Sequence, residues 1–267
     1  MSKLTKFAFI CILVMALPKV AYADNWDLGF SGLYNYSNCP LYNVVGRHYI
    51  NELANQLGSS IHGYPVGRVV FKKLDNDAWE KHLVNSANGG NGLADSVHFY
   101  AYAGHGLNYS TYSAAHFNSA NGSSYNHGCS YDYINAGTNE INWGSNKLRW
   151  AVMQTCNFLN NSNTTKENYL RNMFKGLRIL MGYRTTMYMV ANEGYTFGKN
   201  IYNHGKLVDS FFAAARAHQT GRLSTTIRAV AMGYRPALYN DTRTTSPTKA
   251  PNWNSTQFSI REHPIYP

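Results

Sequence analysis

The feature that most limits the fold of this 267-residue chain is its alternation of short apolar segments with helical ones. Short runs rich in Val, Ile, Phe and Tyr are typical of strands, whereas apolar residues spaced by three and four are typical of helices. Strands that alternate with helices favour parallel strands joined by helical crossovers. The sequence therefore predicts an α/β fold, a three-layer sandwich around a mostly parallel sheet of about six strands.

The predicted elements cover most of the chain. Strands are predicted within 24–36, 66–74, 96–103, 148–155, 177–187 and 224–234, and helices within 41–57, 75–87, 164–174 and 195–218. A long polar segment over 107–146, rich in Asn, Ser, Tyr and Gly, is typical of a functional or disordered loop. Because no composition break divides 24–240, we expect one domain there, followed by a C-terminal tail over 241–267.

The N-terminus has the three parts of a secretory signal peptide. Lys3 and Lys6 form a positive region, an apolar run over 7–17 follows, and Ala21-Tyr22-Ala23 is a small-residue cleavage signal. The apolar run is shorter than the roughly 20 residues that a membrane span needs. We therefore expect cleavage of residues 1–23, no membrane anchor afterwards, and a secreted or periplasmic protein.

Charge and composition exclude several classes of protein. With 44% hydrophobic and 14% aromatic residues, the chain is too apolar for a disordered protein. The segment 1–23 contains Lys3, Lys6 and Lys19 and no acid, so its removal lowers the formal net charge from +10 to +7. The remaining basic residues are scattered and form no run of like charge, so we expect no nucleic-acid partner.

Three cysteines remain after removal of the signal peptide: Cys39, Cys129 and Cys156. An odd number in an exported protein leaves one thiol that is free, pairs between chains or is reactive. Cys39 and Cys129 both lie in loop-like surroundings. A disulfide between them is the simplest pairing, although the sequence does not prove it, and it leaves Cys156 alone.

Two apolar strands each end at a reactive side chain. The strand within 96–103 is followed by Gly104-His105-Gly106, and the strand within 148–155 is followed by Cys156. Ligand sites of open parallel sheets form beyond the carboxyl ends of the strands. His105 and Cys156 are 51 residues apart in sequence, which leaves room for a crossover. If the two strands are neighbours, the two side chains lie at the same edge.

This pair indicates nucleophilic catalysis. A neighbouring imidazole can lower the pKa of a thiol and produce the thiolate, which attacks a carbonyl and forms an acyl intermediate. His105 would then protonate the leaving group. The backbone N–H groups of Gly106 and Cys156 are the natural donors to the oxyanion.

The block that ends in Gly104-His105-Gly106, followed by a strand that ends in Gln154-Thr155-Cys156, resembles the caspase/gingipain/legumain-like group of cysteine peptidases. This resemblance spans the strand order of roughly 60–235 and implies a caspase-like α/β sandwich. It implies His105 and Cys156 as the catalytic dyad and Gly106 as an oxyanion donor. The chain departs from the group at Asn157-Phe158, where many members have Gly shortly after the Cys, and it matches the Gln-Ala-Cys-x-Gly signature only at Gln154 and Cys156.

The expected function is an exported cysteine peptidase that hydrolyses a protein or peptide substrate through an acyl-enzyme. Arg184, Thr185 and Thr186, together with the 107–146 segment, are expected to shape its specificity. Two alternatives stay open: a non-catalytic caspase-like binding module, and an amidase or transpeptidase that uses the same dyad on cell-envelope peptides. The thiol mechanism needs no cofactor, and the absence of CxxC, HExxH and His-x-His spacings predicts no metal site.

Overall fold

The computed structural model describes residues 26–36, 44–59, 61, 65–117, 133–136, 140–203, 205–251 and 256–267. The predicted signal peptide lies outside these residues. So do Cys39 and Cys129, so their pairing stays a prediction.

The described residues form ten strands and five α-helices. The strands are β1 (Trp26–Gly32), β2 (Gly67–Leu74), β3 (Phe99–Ala103), β4 (Gly106–Asn108), β5 (Ser113–His116), β6 (Tyr133–Asn135), β7 (Trp150–Gln154), β8 (Ile179–Tyr183), β9 (Ile227–Tyr234) and β10 (Phe258–Ile265). The helices are α1 (Gly46–Gly58), α2 (Thr164–Asn172), α3 (Ala191–Tyr202), α4 (Leu207–Gln219) and α5 (Arg235–Asn240).

The main sheet contains seven strands in the order β10-β9-β8-β7-β3-β1-β2. Within this sheet the five strands β8, β7, β3, β1 and β2 pair in parallel, while β9 is antiparallel to both of its neighbours. The predicted α/β class and mostly parallel sheet are therefore confirmed, with seven described strands rather than about six.

The central strands are buried on both faces, and alternate residues pack into two different cores. In β3, Phe99 and Ala101 pack with α1, α3 and α4, whereas Tyr100 and Tyr102 pack on the opposite face with α2 and the segments around β5 and β6. Because side chains of a strand alternate between its faces, a continuously apolar strand such as β3 serves both cores. This arrangement is compatible with the predicted three-layer sandwich.

The polar segment 107–146 contains regular structure that the sequence did not predict. The strands β4, β5 and β6 form a small antiparallel sheet on one side of the main sheet. Just before β7, the carboxylate of Asp95 accepts hydrogen bonds from the backbone N–H groups of Gly144, Asn146 and Leu148 and from the Ser145 hydroxyl. One buried side chain therefore fixes the conformation of the segment that precedes β7.

The helix predicted over 75–87 is absent: short 3₁₀ turns occupy Asp75–Asp77, Glu80–His82 and Ser86–Asn88. Asp75, at the start of the predicted helix, has another role. The Asp75 carboxylate accepts hydrogen bonds from the backbone N–H of Tyr34 and from the Arg47 guanidinium. Asp75 thereby connects the residues that follow β1 to the start of α1. These partners are distant in sequence, so the local pattern does not predict the contacts.

The segment 241–267, which we expected to be a tail, contributes both a strand and a buried ion pair. Strand β10 lies at the edge of the main sheet. The Asp241 carboxylate accepts two hydrogen bonds of 2.7 Å from Arg178 and one of 2.8 Å from the Trp150 indole N–H. The Asp241 side chain is only 3% exposed and that of Arg178 13%, so each charge depends on the other.

We expect Asp241→Asn to lower the free energy of unfolding by about 3 kcal/mol, because it leaves the buried Arg178 charge without its counterion. Asp209→Asn is a matched control, since Asp209 pairs with Arg261 but is 51% exposed. Its cost should stay within about 1 kcal/mol. Urea denaturation followed by circular dichroism measures both, and equal losses would contradict the assignment of Asp241 as the buried counterion.

Candidate active site

The pairing of β3 with β7 places His105 and Cys156 at one edge of the main sheet. The two strands are parallel neighbours, with Ala103 opposite Gln154 at their carboxyl ends. The condition that the sequence set for these side chains to lie at one edge is therefore met. The backbone N–H of Gly104 also donates to the Gln154 carbonyl at 3.3 Å, so the two chains stay together where they leave the sheet.

Gly106 lies directly against the backbone of Cys156. A Cβ atom built on Gly106 would come within 2.0 Å of the Cys156 carbonyl oxygen and 3.0 Å of its nitrogen. No larger residue fits without moving the backbone. The structure thus brings together the two backbones that the sequence proposed as oxyanion donors.

His105 is held by aromatic and backbone contacts. Its backbone N–H donates to the Tyr36 hydroxyl at 2.8 Å, and the two rings lie 4.9 Å apart. Its carbonyl accepts from the backbone N–H of His116 at 2.9 Å. Burial, together with the nearby His105, lowers the pKa of His116 to about 4. His116 is therefore neutral at pH 7 and adds no positive charge beside His105.

The Cys156 thiol contacts the backbone of Met187. Its Sγ lies 3.5 Å from the Met187 carbonyl oxygen and 3.5 Å from the Met187 nitrogen, as donor to one and acceptor from the other. Burial raises the pKa of Cys156, and the Met187 N–H only partly opposes this effect. The sequence predicted a thiol pKa lowered by His105. The described conformation instead favours the protonated thiol, because desolvation dominates.

The chain turns sharply after Cys156. Asn157 has a φ of +59°, in the left-handed region that Asn tolerates better than most residues other than Gly. Its backbone N–H donates to the Thr185 carbonyl at 3.1 Å, and that of Leu159 donates to the Tyr183 carbonyl at 3.0 Å. Asn157 thus adopts a backbone conformation that Gly reaches most easily.

A polar pocket of about 460 Å³ begins beside Cys156. Its lining is rich in amide, hydroxyl and guanidinium groups: Asn157, Asn160, Arg184, Thr185, Thr186, Thr225, Thr226 and Arg228. All three predicted specificity residues, Arg184, Thr185 and Thr186, belong to it. Glu262 of β10 forms ion pairs with both arginines of the lining, Arg184 and Arg228. These three side chains together carry one net positive charge.

Several residues of the site were not found from the sequence. Tyr36 lies 69 positions from the His105 that it contacts, and Met187 lies 31 positions from Cys156. Arg228 and Glu262 belong to the neighbouring strands β9 and β10. Strand β9 contains Arg228 as its single charged residue, and the pairing of this arginine with Glu262 depends on strand order, which local sequence does not show.

The described residues contain neither a cluster of metal-ligating side chains nor a membrane-spanning helix. Within them, no three His, Cys, Asp or Glu side chains lie close enough together to hold a metal ion. Likewise, none of the helices in the described ranges is long and apolar enough to cross a membrane.

Comparison with known proteins places the chain in a family. A family model described as "Domain of unknown function (DUF6345)" matches residues 47–261. The chain belongs to the DUF6345 family. The DUF6345 match starts within α1 and ends within β10, so it includes His105, Cys156 and the polar pocket. No curated protein matches the chain.

The ion pairs of Glu262 predict a dependence of stability on pH. Partial burial alone would raise the pKa of Glu262, but Arg228 and Arg184 lower it below its ordinary 4.5. The stabilisation of the wild type over Glu262→Gln should be complete above pH 4.5 and disappear as the pH falls through the lowered pKa. Thermal unfolding of both proteins between pH 3 and 7 measures this difference, and a difference that grows on acidification would contradict it.

Proposed function

We propose that this protein is an exported cysteine peptidase in which Cys156 is the nucleophile and His105 the general base and acid. The proposal rests on one observation. The parallel pairing of β3 with β7 directs the His105 and Cys156 loops to the same edge, where Gly106 touches the Cys156 backbone. The mostly parallel sheet with helices on both faces also supports the caspase-like fold that the sequence resembles.

The chemistry starts from a protonated thiol, since burial raises the pKa of Cys156. As the peptide binds, His105 accepts the thiol proton, and the sulfur attacks the carbonyl carbon. The backbone N–H groups of Gly106 and Cys156 stabilise the oxyanion that forms. Collapse of this intermediate breaks the C–N bond, and His105 protonates the leaving amine. A water molecule, deprotonated by His105, then hydrolyses the thioester.

The polar pocket supports a preference for an acidic side chain in the substrate. Arg184 and Arg228 outnumber Glu262, and the threonine hydroxyls and asparagine amides of the lining offer further hydrogen bonds. A carboxylate complements this net positive charge and binds guanidinium groups strongly. Because Asn157 follows Cys156 directly, the pocket suits a residue close to the bond that is cleaved.

One observation favours the non-catalytic alternative. The Cys156 thiol hydrogen-bonds with Met187, and its raised pKa disfavours the thiolate. A binding module would keep this arrangement and would bind peptides in the polar pocket without cleaving them.

Hydrolysis of a fluorogenic peptide library tests the dyad in the mature chain. Cys156→Ala should abolish turnover, because it removes the nucleophile, and His105→Gln should lower it by about 10²–10⁴-fold. Asp209→Asn is the control: Asp209 lies in α4, is 51% exposed, pairs with Arg261 and has no role in this mechanism, so turnover should not change. If the folded wild type binds peptides without cleaving them, the peptidase proposal fails and the non-catalytic binding module is supported. Ligation to an added amine that exceeds hydrolysis would favour the transpeptidase.

The specificity of the pocket has its own test. We expect substrates with Asp to be cleaved faster than their Asn counterparts, and Arg228→Met to reduce this preference about tenfold, since a hydrogen bond to a charged group contributes ~1.5–3 kcal/mol. Arg235→Met, which removes the same charge from an exposed position outside the pocket, is the control. An Asp preference that Arg228→Met leaves intact would exclude this pocket as its source.

A further inference from the structure

A buried carboxylate lies behind the candidate active site. Glu193, in the first turn of α3, has no solvent exposure. It accepts hydrogen bonds from Gln154 Nε2 at 2.9 Å, from the Tyr183 hydroxyl at 2.5 Å and from Gln219 Nε2 at 2.6 Å. Burying a carboxylate is costly unless hydrogen-bond donors surround it, and three side chains donate to this one.

Gln219 connects this carboxylate to the backbone at Tyr188. Its Nε2 donates to the Tyr188 carbonyl at 2.6 Å as well as to Glu193, and its Oε1 accepts from the Tyr188 N–H at 2.9 Å. Both polar backbone atoms of Tyr188 are therefore held by one side chain. The orientation of that side chain is in turn set by Glu193.

The segment held in this way covers the thiol. Met187, next to Tyr188, contacts the Cys156 sulfur through its N–H and its carbonyl. On the other side, Gln154 precedes Cys156 by two residues and also binds Glu193. The carboxylate thus connects the strand that carries the cysteine with the segment that covers it.

We propose that Glu193 is a positioning residue for the Cys156 thiol, which acts through Gln219 by holding the Met187–Tyr188 backbone over the sulfur. The inference rests on the proposed function only in taking Cys156 as the nucleophile. Release of this segment would expose the sulfur to water and lessen the desolvation that raises the pKa of Cys156.

Among the described residues, the titratable or charged groups near this network include two tyrosines, His105 and Arg222, whose guanidinium carbon lies 5.6 Å from the centre of the Tyr188 ring. Burial raises the pKa of Tyr183 and of Tyr49 well above their ordinary value, and the charge of Glu193 raises both further, so both phenols stay neutral at pH 6–10. Burial also raises the pKa of Glu193, against the three hydrogen bonds that favour its ionised form. His105 lies at the same edge of the sheet, and a His105→Ala background removes the influence of this imidazole on the thiol.

The test is the pH profile of iodoacetamide alkylation at Cys156, followed by mass spectrometry in the whole mature chain. Glu193→Gln and Gln219→Leu should each move the midpoint of the profile down by at least half a pH unit, which is about a threefold gain in thiolate at pH 7. The exchange Glu193→Gln with Gln219→Glu restores a carboxylate next to an amide and should recover part of the shift. The same shifts are expected in the His105→Ala background.

Tyr183→Phe is the matched control. It removes one hydrogen bond from Glu193 but leaves the contacts of Gln219 with Tyr188 in place, so the midpoint should not move even where thermal stability falls. A midpoint unchanged in folded Gln219→Leu, or moved equally by Tyr183→Phe, would overturn the proposal. The alkylation profile needs no substrate, so it tests the role of Glu193 independently of catalysis. A wild type that cleaves no peptide would contradict the proposed function but not the positioning of the thiol by Glu193.

Discussion

The site depends on the pairing between β3 and β7. Both strands are buried on both faces, and their register places Ala103 opposite Gln154. A shift of one strand by one residue relative to the other would exchange the side chains that face the two cores. Packing in both cores therefore strongly favours the observed register. The loops after these strands therefore leave the sheet at the same level. Any chemistry that joins His105 and Cys156 follows from this constraint.

Three buried carboxylates of the described residues are each surrounded by hydrogen-bond donors. Asp95 accepts four hydrogen bonds before β7, Asp241 binds Arg178 and an indole, and Glu193 accepts three hydrogen bonds. Each of these acids connects segments that are distant in sequence. Because an uncompensated charge would be costly in the interior, the three groups make the arrangement of their segments specific as well as stable.

Predictions from the sequence succeeded where burial follows from local pattern. The apolar strands that became β3, β7 and β8 were found because they are short and continuously hydrophobic. The prediction of a helix over 75–87 was wrong, because the Asp75 carboxylate accepts hydrogen bonds from Tyr34 and Arg47 and does not cap a helix. The strands β4 to β6 were missed, since the polar 107–146 segment has little of the apolar pattern by which strands are recognised.

The sequence by itself determined that apolar strands end at His105 and Cys156, because strand periodicity and strand ends are local properties. It also marked Arg184, Thr185 and Thr186 as residues near the site, and all three line the polar pocket. Only the tertiary structure decided which groups surround the thiol. Contacts with Met187 and the burial that raises the pKa of Cys156 come from segments far apart in the chain, and desolvation depends on how all of them pack.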